Sequence, residues 1–260
     1  DVYKRQELVG EAVYERHGTE FPLLVKFIDA RQDLSIQVHP DDRLAWMRHK
    51  SNGKTEMWYV VAADKGAHLK SGFSKQLTPA EYERMVADHT LTDALCDYPV
   101  TAGDLFFLPA GRVHAICAGT FVAEIQQTSD ITYRIYDYGR TGADGKPREL
   151  HTELAKDAID YTVLPDYRSH YAAAKNREVP LVSCPYFETS LYELDAPLSR
   201  DLAALDSFLI VVCLKGSGVL CDDEGDEVPL RRGETLLVPA STRSVQFVPD
   251  PSLKLLTSHL

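Results

Sequence analysis

At 260 residues, with 44% hydrophobic and 26% charged side chains, the chain has a globular composition and is long enough to bury one large or two small cores. No apolar run approaches bilayer length, and a formal net charge of −11 without a long Lys/Arg run opposes a phosphate backbone, so neither membrane nor nucleic acid is an expected partner. Five cysteines, Cys96, Cys117, Cys184, Cys213 and Cys221, form an odd set with no CxxC spacing, which argues against a disulfide framework and against a thiolate zinc site.

The first residues, DVYKRQELVGEAVYERHG, lack the apolar stretch of an export signal, and the expected compartment is the cytoplasm. Short runs rich in Val, Ile, Phe and Tyr follow between turn residues. LLVKFIDA, LSIQVH, EMWYVVAA, DLFFLPA, VHAICAG and FVAEIQQ all predict antiparallel strands. Helices interrupt them. DDRLAWMRH follows His39-Pro40, and TPAEYERMVADH has Thr78 to cap, Pro79 at the first helical position and Glu81 to complete a capping box. ELHTELAKDAIDY predicts a third helix, ahead of an irregular, proline-containing connection from Leu164 to about Pro185. The expected domains are therefore residues 1–165 and 166–260. From Tyr186 strands return as FETSLYELDA, FLIVVCLKGSGVL, ETLLVPAS, SVQFVP and LKLLTSH.

The two parts resemble each other. TAGDLFFLPAGRVHAI and RRGETLLVPASTRSVQF share a glycine, an acidic residue, an apolar run, a proline and a further strand, while EMWYVVAADKGAHL matches FLIVVCLKGSGVL. Gly103 and Gly233 permit a tight turn into the strand, and Pro109 and Pro239 end the ladder. The pattern predicts a mainly β protein of two cupin-type (jelly-roll) β-barrels with a few inserted helices.

Strand alternation in Ser35-Ile36-Gln37-Val38-His39-Pro40 puts Ser35, Gln37 and His39 on one face. A polar row facing a barrel interior needs a metal, a ligand or ordered water. Glu56 opens EMWYVV and His114 opens its own strand after the Pro109 turn, so two imidazoles, a carboxylate and an amide oxygen converge. The set suits one divalent ion per chain, zinc first, then manganese, cobalt or iron. A single histidine is more often a surface or satisfied core residue, but the duplication argues otherwise here. His114 lies eleven residues after Gly103, a place that falls on Ser244 after Gly233, and Glu56 aligns with about Phe208. The second copy keeps the scaffold and drops the polar set, as a separable site predicts.

FPLLVKFIDARQDLSIQVHPDD, KTEMWYV, GDLFFLPAGRVHAI and EIQQTSDITYRIYDYGR together resemble, in order, the signature segments of the type I mannose-6-phosphate isomerases, particularly the short bacterial form. The resemblance covers nearly the whole chain and implies an aldose–ketose isomerase acting on a small sugar phosphate. It implies Gln37, His39, Glu56 and His114 as zinc ligands, Arg134 as the active-site arginine, and Ser35, Lys54 and Arg140 as substrate-side residues, with Glu124 also lining the site. Such a reaction moves a proton between C1 and C2 through an enediol, for which Lys54 and Glu124 are rival bases, Arg134 a charge stabiliser, and Ser35 and Arg140 phosphate binders. Lys54 alone reads equally well as a solvated surface lysine. Two other readings of the same ligands stay open: an iron oxygenase or epimerase-like cupin, and a sugar-binding module without turnover. The family's WGG turn and GESWE-like segment are absent from the start, so the chain is expected to be a fragment; sequence leaves the oligomeric state unknown.

Overall fold

The computed structural model describes residues 2–142 and 145–260. Among them, helices α1 (Val2–Val9) and α2 (Glu11–His17) precede strands β1 (Leu23–Ala30) and β2 (Ile36–Val38), helix α3 (Asp42–His49), and strands β3 (Glu56–Ala63) and β4 (His68–Phe73). Helix α4 (Pro79–Ala87) and a 3-10 turn at Leu91–Ala94 lead into β5 (Leu95–Pro99), β6 (Leu105–Leu108), β7 (His114–Ile116), β8 (Thr120–Gln127) and β9 (Tyr133–Tyr136). Helix α5 (Thr152–Ala158) and the short β10 (Arg168–Ser169) follow. The remainder is β11 (Glu178–Cys184), β12 (Phe187–Leu194), β13 (Leu198–Asp201), β14 (Leu209–Asp222), β15 (Glu227–Arg231), β16 (Thr235–Val238) and β17 (Ser244–His259). The architecture is mainly β, as the sequence pattern predicts, and all five cysteines are free.

The chain divides into two compact units. One is Leu23–His170; the other joins the N-terminal helices, up to Pro22, to Tyr171–Leu260. In the first unit, one antiparallel sheet has the order β1-β8-β3-β6-β10 and the other β5-β4-β7-β2-β9. Each strand alternates between an inward and an outward face. The outward face of the second sheet buries Ile36, Val38, Val113, Ala115, Tyr133 and Ile135 against Tyr82 and Met85 of α4 and Ala155 of α5. Helix α4 forms as the capping box predicts: Thr78 Oγ1 accepts from the Glu81 N–H at 3.2 Å, and Glu81 Oε2 accepts from the Thr78 N–H at 2.8 Å. Asp41 caps α3 by accepting from the Leu44 N–H at 2.7 Å, which stops strand β2 and turns the chain just after His39. Strands β6 and β16 end immediately before Pro109 and Pro239, where no N–H remains to extend the ladder.

The other unit holds a sheet of order β11-β12-β17-β14-β15, with β13 on β17 and β16 on β14. Its core gathers Leu209, Val211, Cys213, Phe247, Leu253 and Leu255 around Tyr192. Helix α2 begins where Asp206 accepts from the N–H groups of Glu11 and Ala12, at 2.7 and 2.9 Å. Gly10 is required there: its φ is +95°, and a Cβ would sit 2.4 Å from the Asp206 carbonyl oxygen. SVQFVP and LKLLTSH, read from sequence as two strands, are one continuous strand, β17, paired along β14.

Candidate metal centre

Register builds the site. Gln37 on β2 lies opposite His114 on β7 and opposite Arg134 on β9, and His114 lies opposite Ser71 on β4. Residues directly opposite share a face, so Ser71, His114, Gln37 and Arg134 form one inward row across the sheet. On the facing sheet, Glu56 and Trp58 of β3 lie opposite Gln126 and Glu124 of β8, and Glu124 lies opposite Lys26 of β1. Deeper along the same inward faces the residues turn apolar, with Val60, Leu69, Phe106, Ile116 and Val122 packed together. The polar set therefore occupies one end of an otherwise hydrophobic interior.

His39, Glu56 and His114 present ligand atoms that all lie within 4.8 Å of one another, and all three are buried. His39 Nδ1–H donates to the Ile131 carbonyl at 2.9 Å, and His114 Nδ1–H donates to the Arg112 carbonyl at 2.8 Å. Those bonds fix the tautomers and turn both Nε2 lone pairs toward the cluster, the orientation that binds a cation. Burial, and then the Lys54 ammonium, holds the His39 pKa well below the ordinary imidazole value and brings His114 down to about 3. Both rings are thus neutral, the form that ligates metal. Trp58 meets His114 edge-on at 5.1 Å and 88°, locking the ring against rotation.

Glu56 carries the sharpest signal. Its side chain is wholly buried, and Oε1 has no hydrogen-bond donor among the described residues. Lys54 Nζ pairs with Oε2 at 2.9 Å, and His114 Nε2 stands 3.2 Å from Oε1 with no proton between them in the tautomer that its Nδ1 bond sets. Carboxylate oxygens facing imidazole lone pairs repel unless a cation stands between them; the Lys54 ammonium fills that role on the Oε2 and His39 side, while Oε1 still faces the His114 Nε2 lone pair at 3.2 Å. The donor set fits a divalent ion. Gln37 Nε2 is 3.4 Å from His114 Nε2, and turning the amide over would offer Oε1 in its place. Ser35, also buried, donates to Gln37 Oε1 at 3.3 Å and steadies that amide.

The other expected residues divide into two groups. Lys54 is buried, not a solvated surface lysine: its ammonium lies 3.1 Å from His39 Nε2. Burial alone would lower its pKa, but the Glu56 and Glu124 carboxylates outweigh that and raise it. Glu124 is buried as well, and burial, then the Glu56 charge, raises its pKa. It accepts from Trp58 Nε1 at 2.8 Å and Lys26 Nζ at 3.1 Å. Arg134 stands in the row beside Gln37, its Nη1 donating to the Glu149 carbonyl at 2.9 Å. Arg140 bonds instead to Asp137 and to the Asp33 carbonyl.

Sequence reasoning missed Lys26, Trp58, Gln126 and Ser71. The signal for Lys26 was one lysine within the apolar strand LLVKFIDA; Trp58 and Gln126 stood two residues from ligand or site positions on the same strand face. Among the described residues, the other unit contains no comparable metal-ligand cluster.

The family described as "Phosphomannose isomerase type I, catalytic domain" matches residues 2–68, and "Mannose-6-phosphate isomerase, cupin domain" matches residues 177–260. A mannose-6-phosphate isomerase of Streptococcus mutans is 35% identical over 257 residues, covering 98% of this chain and 78% of the relative. The mannose-6-phosphate isomerase ManA of Bacillus subtilis is 36% identical over 225 residues, covering 85% of this chain and 70% of the relative. A crystal structure of the mannose 6-phosphate isomerase from Bacillus subtilis is similar with a TM-score of 0.85 at 30% identity, covering 95% of this chain and 81% of that one.

Proposed function

The chain belongs to the type I phosphomannose isomerase family and interconverts mannose 6-phosphate and fructose 6-phosphate, and from that premise we propose that Gln37, His39, Glu56 and His114 hold one zinc ion per chain. The observation that carries the proposal is the wholly buried Glu56 carboxylate set against two Nε2 lone pairs, 3.6 Å from His39 and 3.2 Å from His114. Two nitrogen and two oxygen donors suit zinc. When bound, the ion supplies positive charge for the oxyanion that develops as the sugar passes to its enediol. The unit containing β1 to β10 is then the catalytic one, and the unit containing β11 to β17 binds no metal.

Within the catalytic unit, Lys54 beside two carboxylates is kept protonated and acts as a proton donor to a sugar oxygen. Glu124, its pKa raised toward working pH, is the better placed of the two rival bases for the C1 or C2 proton. Arg134 stays charged and stabilises negative charge on the reacting carbons' oxygens, since a guanidinium is a poor proton acceptor. Ser35 and Arg140 bind the phosphate. A phosphorylated substrate does not cross membranes unaided, which supports a cytoplasmic site of action.

The test is coupled conversion of mannose 6-phosphate to fructose 6-phosphate with and without a chelator. Activity should vanish on chelation and return with zinc. Full activity in rigorously metal-free protein would refute the metal assignment.

A further inference from the structure

We infer that Asp137 is a positioning residue that holds Arg140 and Arg148 as a guanidinium pair beside Arg134, and that Arg148 is a further cation for the phosphate of the substrate. The inference rests on the isomerase reading above.

Asp137 directly follows β9, the strand that carries Arg134. Its side chain is 5% exposed and is shared by two arginines. Oδ1 accepts from Arg140 Nε at 3.1 Å and Arg140 Nη2 at 2.5 Å. Arg148 donates through Nε to Oδ2 at 2.6 Å and through Nη2 to Oδ1. Arg140 is anchored further, its Nη1 donating to the Asp33 carbonyl at 2.6 Å. The backbone repeats the link: Arg140 N–H donates to the Asp137 carbonyl at 3.0 Å, and Arg148 N–H to the Arg140 carbonyl at 3.4 Å.

Arg134 joins this group from the ligand row. It bonds the carbonyl of Glu149, the residue after Arg148, and burial followed by the Arg148 charge lowers its pKa. Its Nε is buried and, among the described residues, has no partner. Among the described residues, three guanidinium groups near one buried carboxylate leave two positive charges in excess, in a chain of net charge −11. The Glu149 carboxylate is 83% exposed and screened by water, so it offsets little of that excess. A phosphate monoester carries nearly two negative charges near neutral pH, which matches.

Placement agrees with charge. His114, Gln37 and Arg134 lie on successive strands, so Arg134 stands roughly 10 Å along the row from the ligand histidine, the scale of a six-carbon sugar phosphate. Arg140 has every guanidinium nitrogen engaged, whereas Arg148 Nη1 has no partner among the described residues and its side chain is 39% exposed. Arg148 is therefore the member of the pair with more N–H donors left for an incoming anion, and Arg140 adds the second N–H of each of its η nitrogens. Without Asp137 the like charges would repel and sample many rotamers. The shared carboxylate sets them in one arrangement before the substrate arrives.

Arg148→Gln tests this with two readouts, steady-state kinetics on mannose 6-phosphate and inhibition by inorganic phosphate. We expect about a tenfold rise in KM, with a matching rise in the phosphate inhibition constant and the loss in KM rather than kcat. Arg148→Lys should recover part of both, because the charge returns without the planar fork. Asp137→Asn should weaken phosphate inhibition as well; if that variant does not fold, the two Arg148 variants decide. An unchanged phosphate inhibition constant in Arg148→Gln, with only a lower melting temperature, would mean that the pair merely pins the segment, and would overturn the inference. If the wild-type chain failed to isomerise mannose 6-phosphate while inorganic phosphate still protected it thermally through Arg148, the isomerase reading would fall and the anion site would stand.

Discussion

Glu56 opens β3 and Phe208 stands immediately before β14, and both side chains are wholly buried. Glu56 faces two imidazoles across the interior of its unit, whereas Phe208 packs on Phe21, ring centroids 4.6 Å apart. His114 and Ser244 likewise open matching strands after matching Gly and Pro turns, one wholly buried, the other half-buried. One strand plan accepts either a charged or an apolar residue at equivalent depth. The polar set is therefore not needed for folding the β unit, and its desolvation cost points to a role in binding and chemistry.

Breaking the difference at a ligand should have the largest effect. His114→Ala should empty the site of zinc by elemental analysis and abolish measurable turnover, while Ser244→Ala in the other unit should change neither. Full metal content in the His114 variant would refute its place in the set. Next in size is Arg134→Ala, which should keep the metal and lose roughly two to three orders of magnitude in kcat, the scale of deleting one preorganised charge-stabilising donor. A rise in KM alone would make Arg134 a uniform binding group. Glu124→Gln should abolish exchange of the C2 proton with solvent if Glu124 is the base; persistence of exchange there, with its loss in Lys54→Met, would transfer that role to Lys54.

The smallest effect concerns acid. Burial depresses both His39 and His114 below the unfolded imidazole value, so the folded state binds fewer protons, and stability falls as pH drops below about 6.5. Metal-free protein should lose about 2 kcal/mol by pH 5 for each imidazole that stays neutral. Denaturant melts between pH 7 and pH 5 check this, with His114→Gln flattening the slope. An identical slope in that variant would show that the cost lies elsewhere.

The fold was legible where local chemistry fixes it. Thr78, Pro79 and Glu81 announce α4, and Gly103 and Pro109 bound β6, because capping and ladder termination act over a few residues. The ligands were legible because strand alternation sorts Gln37 from Ile36 and Val38, and the second copy supplies an internal control. Helix α1 was not, since it buries no residue and so carries no apolar stripe to read. β17 was split by Pro249 and Pro251, residues that normally end a strand; bulges in β14 at Cys213/Lys215 and Gly216/Gly218 let it follow. The Asp137–Arg148 pair was equally hidden, since it arises from an irregular segment folding back and no periodicity encodes it.

The comparison between the units is tested most directly by anomalous diffraction at the zinc edge from zinc-loaded crystals. A single strong peak among Gln37, His39, Glu56 and His114, with none inside the unit of β11 to β17, is the predicted result. A peak in that second unit, or no peak beside Glu56, would contradict it.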